Sequence, residues 1–239
     1  PDFVCWGSAR LRARNAMRWL FSILTSTVGR KVQMALTGLL LCGFLVVHLG
    51  GNLFIYGGSE TFNHYAKALE ANPLLPAAEV GLLALFLLHV ATGVWVWAES
   101  RRARPAAYAA TTWAGGKTVG SVTMIFSGIL LLAFVVVHVK TFRFAPDRSD
   151  VYRVVMQAFT SKTYALFYVA AMAALGLHLS HGFQSAFQTM GADHPKLTPA
   201  VKRAGLAFAV LVALGFASIP IWAGFIAGPQ ACCAVVEEE

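Results

Sequence analysis

Charge is scarce in this chain. Of its 239 residues only 13% are Asp, Glu, Lys or Arg, where a soluble domain carries about a quarter. Four cysteines, Cys5, Cys42, Cys232 and Cys233, include no CxxC pair, so a four-thiolate iron–sulfur cluster has no ligands here. The adjacent pair near the C-terminus can oxidise, but nothing in the expected fold needs it. A glycine-rich dinucleotide fingerprint is also missing, which removes nucleotide-dependent hydride chemistry from this chain. Within the apolar runs carboxylates are almost absent, and Pro220 is the only clear mid-span proline. Transporters often place acids and helix breaks there.

What fills the chain is apolar sequence, 57% of all residues. Five runs, roughly 32–56, 77–98, 118–140, 163–187 and 204–226, each match the about twenty residues that cross a hydrocarbon core. The expected fold is an all-α membrane protein with five transmembrane helices. A basic interfacial arm over 1–27 precedes the helical domain of 28–226, and a tail of 227–239 follows it. The connections are short and leave no room for a soluble catalytic domain, so such chemistry belongs to partner subunits.

The net charge of +8 is arranged for a membrane rather than for nucleic acid. Thirteen of the nineteen Lys and Arg lie in the N-terminal arm counted together with Arg30 and Lys31, the 99–117 loop and the 190–204 loop. Only Lys67 lies in the 57–76 loop, and the chain ends in Glu237-Glu238-Glu239. The positive-inside rule then puts the N-terminus in the cytoplasm and the C-terminus outside, as in a multi-pass protein of a bacterial cytoplasmic membrane. The 140–162 loop, with Lys140, Arg143, Arg148, Arg153 and Lys162, breaks the rule. The arm around Arg10-Leu11-Arg12-Ala13-Arg14 lacks the apolar core of a cleavable signal peptide. It reads as an interfacial segment with Trp19 and Phe21 at headgroup level.

Ionisable groups inside a bilayer are costly and call for partners, and four histidines lie in four different apolar runs. They sit in an internal repeat. Thr37-Gly38-Leu39-Leu40-Leu41-Cys42-Gly43-Phe44-Leu45-Val46-Val47-His48 recurs as Ser127-Gly128-Ile129-Leu130-Leu131-Leu132-Ala133-Phe134-Val135-Val136-Val137-His138, with seven identities in twelve positions. Leu88-His89-Val90-Ala91-Thr92-Gly93 and Leu177-His178-Leu179-Ser180-His181-Gly182 share Leu-His-x-x-x-Gly. By span direction, His48 and His138 lie towards the outer face, and His89 and His178 towards the cytoplasm, with roughly 10 Å between the layers at 1.5 Å per residue. Equal depth pairs His48 with His138 and His89 with His178. Neutral imidazole is a good axial ligand, so the four residues form a ladder for two b haems whose filled axial positions suit them to electron transfer. The first four helices are then expected to form a haem-binding bundle, and the cations of the 140–162 loop to meet either lipid headgroups or haem propionates.

Gly93 and Gly182 stand four residues after their histidines, on the same helix face, where a missing side chain lets a flat porphyrin approach. Gly43 and Gly51 are weaker matches of that kind. The glycine register selects His178 over His181, which is left as a polar neighbour free to bind a propionate or a carbonyl. His64 and His194 fall in loops.

These residues resemble the single-polypeptide cytochrome b anchor of succinate:quinone oxidoreductases and fumarate reductases, the di-haem type with five membrane helices. The resemblance covers about residues 22–226. It rests on Gly29-Arg30-Lys31-Val32-Gln33-Met34-Ala35-Leu36-Thr37-Gly38, His48-Leu49-Gly50-Gly51-Asn52-Leu53, Phe62-Asn63-His64-Tyr65 and Arg101-Arg102-Ala103-Arg104-Pro105. Its most distinctive string is His178-Leu179-Ser180-His181-Gly182-Phe183-Gln184-Ser185-Ala186-Phe187-Gln188-Thr189. The resemblance implies that His89 and His178 hold a proximal haem, nearer an iron–sulfur subunit, and His48 and His138 a distal one. It further implies a flavoprotein partner that oxidises succinate, and delivery of electrons to membrane quinone, menaquinone by analogy.

Quinone reduction needs two protons as well as two electrons. Ser26, Arg30, Lys31 and Gln33 near the cytoplasmic face, and Glu79 near the outer face, are the candidates for that site. Arg30 and Lys31 read equally as positive-inside anchors or propionate partners, and Glu79 as a carboxylate stabilised by a helix N-terminus. Two other functions compete: a cytochrome b subunit of a hydrogenase or formate dehydrogenase, and a haem-free transporter or scaffold whose histidines relay protons.

Overall fold

The computed structural model describes residues 18–19, 21–103 and 119–227. Most of the basic arm, Arg104 and Pro105, the tail after 227, and Cys5, Cys232 and Cys233 lie outside the described residues. Among the described residues the chain is 88% helix without a strand. In order the helices are α1 (Thr27–Leu53), α2 (Gly58–Glu70), α3 (Leu75–Arg102), α4 (Val119–Phe142), α5 (Val151–Thr160), α6 (Lys162–Thr189) and α7 (Thr198–Ile221). Five of them, α1, α3, α4, α6 and α7, are long and apolar enough to cross a membrane.

Local chemistry sets the helix starts. Ser26 caps α1: its Oγ accepts from Gly29 N at 3.0 Å and donates to the Ile23 carbonyl at 2.6 Å. Proline in the first turn opens both α3 and α7, where its missing N–H costs nothing. Asp150 caps α5 by accepting from Arg153 N at 2.9 Å. At the other extreme, Pro220 lies one residue before the end of α7, and the helix then widens into a π turn over Trp222–Ile226. Proline lacks an N–H and crowds the carbonyl four residues earlier, so the sequence's mid-span proline marks a helix end.

The five long helices alternate in direction. The start of α1 meets the end of α3 through Arg30 and Glu99, the end of α4 meets the start of α3 through Arg143 and Glu79, and the end of α4 meets the start of α6 through Thr141 and Tyr164. One end of the bundle is therefore marked by Arg30 and Glu99, the other by Glu79 and Arg143.

Packing is uneven. The broadest seam joins α6 to α7, while α1 packs on α3, α6 and α7, and α4 packs on α6; α3 and α4 touch only lightly. Small residues line the seams, as expected where lipid gives helices no hydrophobic push together. A Cβ on Gly176 would stand 3.1 Å from Ala213 Cβ, and one on Gly205 3.0 Å from the Phe183 ring. Cys42, Ala171, Met172, Leu175, Ala209 and Val212 form the mid-depth core where α1, α6 and α7 meet. Taken around the first four long helices the order is α3, α1, α6, α4, so α1 faces α4, and α3 faces α6, across the bundle.

The connections are not plain loops. The 57–76 and 140–162 segments contain α2 and α5. Asn63 Nδ2 donates to Asp150 Oδ1 at 2.8 Å, and Tyr152 N donates to Asn63 Oδ1 at 3.0 Å, clasping the two short helices together. Phe62, Tyr152, Val155, Met156 and Phe159 then bury into one cluster with Ile55, Tyr168 and Ile219 at the Glu79 end. His64, expected in a loop, lies on α2 and is exposed; His194 lies exposed between α6 and α7.

Candidate functional site

Each of the four diagonally related helices brings one histidine to the bundle interior. His89 on α3 and His178 on α6 have ring centres 6.4 Å apart, with ring planes at 71°. His48 on α1 and His138 on α4 have centres 5.9 Å apart, at 88°. A metal–imidazole bond is about 2.0–2.1 Å, and the ring centre lies about 1.1 Å behind its nitrogen. Two imidazoles sharing one metal axially thus have centres roughly 6 Å apart, the separation found at both levels.

The His89–His178 pair is framed by the internal repeat. His89 Nδ1 lies 3.1 Å from Thr37 Oγ1, and His178 Nδ1 lies 3.2 Å from Ser127 Oγ. The next residue clears room for the ring in each case: a Cβ on Gly38 would stand 3.3 Å from His89 Cε1, and one on Gly128 3.6 Å from His178 Cε1. Among the described residues neither Nε2 of this pair has a hydrogen bond. From Gly38, against which His89 packs, to His48 is ten residues, about 15 Å of helix.

The His48–His138 pair is more aromatic. Phe44 stacks on His48 at 5.1 Å and Phe134 on His138 at 5.5 Å. His138 Nδ1 lies 3.3 Å from the hydroxyl of Tyr168, which lies 3.1 Å from that of Tyr164; Tyr164 in turn donates to Thr141 Oγ1 at 2.8 Å. His48 has only Asn52, whose Nδ2 is 3.3 Å from Nδ1 and donates to the His48 carbonyl at 2.7 Å.

Among the described residues no three His, Cys, Asp or Glu side chains converge on one point; the donors come in twos. Gly93 and Gly182 are half-buried, and a Cβ on either would meet nothing within 4 Å; the same holds for Gly43. Gly51 is different, because a Cβ there would collide with the Tyr65 hydroxyl at 2.3 Å, so it makes room for a tyrosine. Among the described residues, His181 Nδ1 is buried and has no hydrogen-bond partner, three residues beyond His178.

The polar candidates at the two ends have partners of their own. Ser26 is spent on the α1 cap, and Gln33 Nε2 donates to the Leu24 carbonyl at 2.7 Å. Arg30 lies 3.5 Å from Glu99 and 4.3 Å over the Trp95 ring, and Thr27 Oγ1 donates to the same carboxylate at 3.0 Å. Lys31 is exposed. Sequence reasoning missed Glu99, although its place ten residues after His89 and before Arg101-Arg102 marks the same membrane face.

At the opposite end Arg143 closes on Glu79 with two hydrogen bonds, 2.7 and 3.1 Å, and that contact raises the guanidinium pKa above its ordinary value. Arg148 pairs with Glu70, and Arg153 with Asp147 at 3.3 Å. Three cations of the 140–162 connection are thus neutralised by nearby carboxylates. The chain matches no family model, no curated protein and no solved structure.

Proposed function

We propose that this chain is the membrane-anchor cytochrome b subunit of a succinate:quinone oxidoreductase, a five-span subunit that carries two b haems. The observation that carries the reading is the pairing of four intramembrane histidines across the bundle diagonals, at two depths, with ring centres 6.4 and 5.9 Å apart. His89 and His178 would hold the proximal haem, His48 and His138 the distal one. Bis-imidazole haem leaves no axial position for oxygen or substrate, so the chemistry it supplies is one-electron transfer.

The chain's own residues do the rest. The lightly touching α3 and α4 and the bare faces at Gly93 and Gly182 leave width for a planar macrocycle. The aromatic rings of Phe44, Phe134 and Phe216 exclude water from the distal pair. The unpartnered Nδ1 of His181 suits a propionate. Quinone, menaquinone by the family resemblance, would bind near one of the polar ends, either at Arg30 and Lys31 or at Glu79. Among these, Arg30 and Glu79 already sit in ion pairs that keep a charge at the membrane surface.

The flavoprotein and iron–sulfur partners of such an enzyme would dock on the basic N-terminal face, with the N-terminus in the cytoplasm and the C-terminus outside a bacterial cytoplasmic membrane. A pyridine haemochrome assay with a dithionite-reduced spectrum tests the reading. Two b haems per chain are expected; none would sink it in favour of a proton-relaying scaffold.

A further inference from the structure

We propose that Thr37, Ser127 and Tyr168 are positioning residues that fix three of the four histidines in one tautomer, with hydrogen on Nδ1 and Nε2 bare. The proposal rests on the haem reading above and assigns three side chains to it.

The direction of each hydrogen bond follows from where the hydroxyl protons go. Thr37 donates to the Gln33 carbonyl at 2.7 Å, so its oxygen presents a lone pair to His89 Nδ1 at 3.1 Å. A ring nitrogen facing acceptors is the one that carries the hydrogen. Ser127 repeats the arrangement: its hydroxyl donates to the Met124 carbonyl at 3.1 Å, and its oxygen faces His178 Nδ1 at 3.2 Å.

Tyr168 reaches the same result through a chain. Tyr164 gives its proton to Thr141 at 2.8 Å, so its oxygen accepts from the Tyr168 hydroxyl at 3.1 Å. The Tyr168 oxygen is then the acceptor for His138 Nδ1 at 3.3 Å. Tyr168 is 5% exposed, so water does not compete for that bond. Every one of these chains runs outward from an imidazole, and an acceptor at Nδ1 both fixes ring orientation and raises the basicity of the metal-binding nitrogen. His48 stands apart, since Asn52 offers its ring a donor.

The test uses the full chain in membranes, with Thr37→Val, Thr37→Ser, Ser127→Ala and Tyr168→Phe, read by haem content, redox titration and low-spin electron paramagnetic resonance. A hydrogen bond from an axial imidazole favours ferric iron. Thr37→Val and Ser127→Ala should therefore each raise the midpoint potential of the same haem and weaken its retention by about 10–100-fold, with Thr37→Ser restoring both. Tyr168→Phe should move the other haem. Should Thr37→Val fail to fold, Ser127→Ala poses the same question in the second half of the repeat. Loaded variants with unchanged potentials and spectra overturn this proposal alone. A wild-type chain without haem overturns it together with the function it rests on.

Discussion

His178 faces His89 across the bundle at 6.4 Å between ring centres, whereas His181, three residues on, has a buried Nδ1 with no partner among the described residues. One turn of α6 thus carries two histidines in different roles. Replacing His178 with Ala should remove one of two b haems, measured by haemochrome content per polypeptide. His181→Ala should leave both haems in place. The reverse result would show that the ring facing His89 is not a ligand.

Gly93 and Gly182 offer a test that separates fold from cofactor. A side chain at either position meets nothing within 4 Å of its Cβ, and replacing a helical glycine gains about 0.5–1 kcal/mol in backbone entropy. Gly93→Leu and Gly182→Leu should therefore keep or raise thermal stability in detergent while losing the proximal haem. Equal haem content in variant and wild type would mean that the open space serves lipid instead.

The N-terminal string has a different kind of glycine. A Cβ on Gly29 would stand 2.0 Å from the Ile23 carbonyl oxygen, and backbone cannot step aside as a flexible side chain does. Gly29→Ala should cost about 1–3 kcal/mol, the range for overpacking, and should expose residues 21–26 to protease. Gly43→Ala, with no neighbour within 4 Å, is the control and should be neutral or stabilising.

The Arg143–Glu79 pair has good geometry but is half-exposed, at 50% and 39%. Such pairs contribute about 0.2–1 kcal/mol. A double-mutant cycle with Arg143→Gln and Glu79→Gln should give a coupling in that range that shrinks as salt rises. Loss of quinone reductase activity in Glu79→Gln beyond that in Arg143→Gln would assign the carboxylate to proton delivery.

Five long apolar helices were legible because lipid demands length and hydrophobicity, which composition displays directly. α2 and α5 were read as loops, although Tyr152, Val155, Met156 and Phe159 repeat at helical spacing and all four are buried. That stripe was short and lay among charges, so charge position, used to assign membrane sides, hid it. The same charges make local ion pairs that no one-dimensional pattern fixes.

Phe62-Asn63-His64-Tyr65 could be quoted as a family-like string, but its purpose needs three dimensions. Asn63 clasps α5, and Tyr65 fills the space left by Gly51. Likewise the Thr-Gly and Ser-Gly of the repeat were visible as letters. Their contact with a histidine on the next long helix, 52 and 51 residues away, was not.

In each half of the repeat, a hydroxyl and a glycine on one helix seat the histidine of the next: Thr37 and Gly38 for His89, Ser127 and Gly128 for His178. The partners of every pair come from opposite halves, α1 with α4 and α3 with α6, and corresponding helices run the same way. The halves are thus related by an approximate two-fold axis along the membrane normal, passing between the rings at both levels. Half of this chain holds half of each pair, and two copies of a single half, associated about that axis, would assemble both pairs at once.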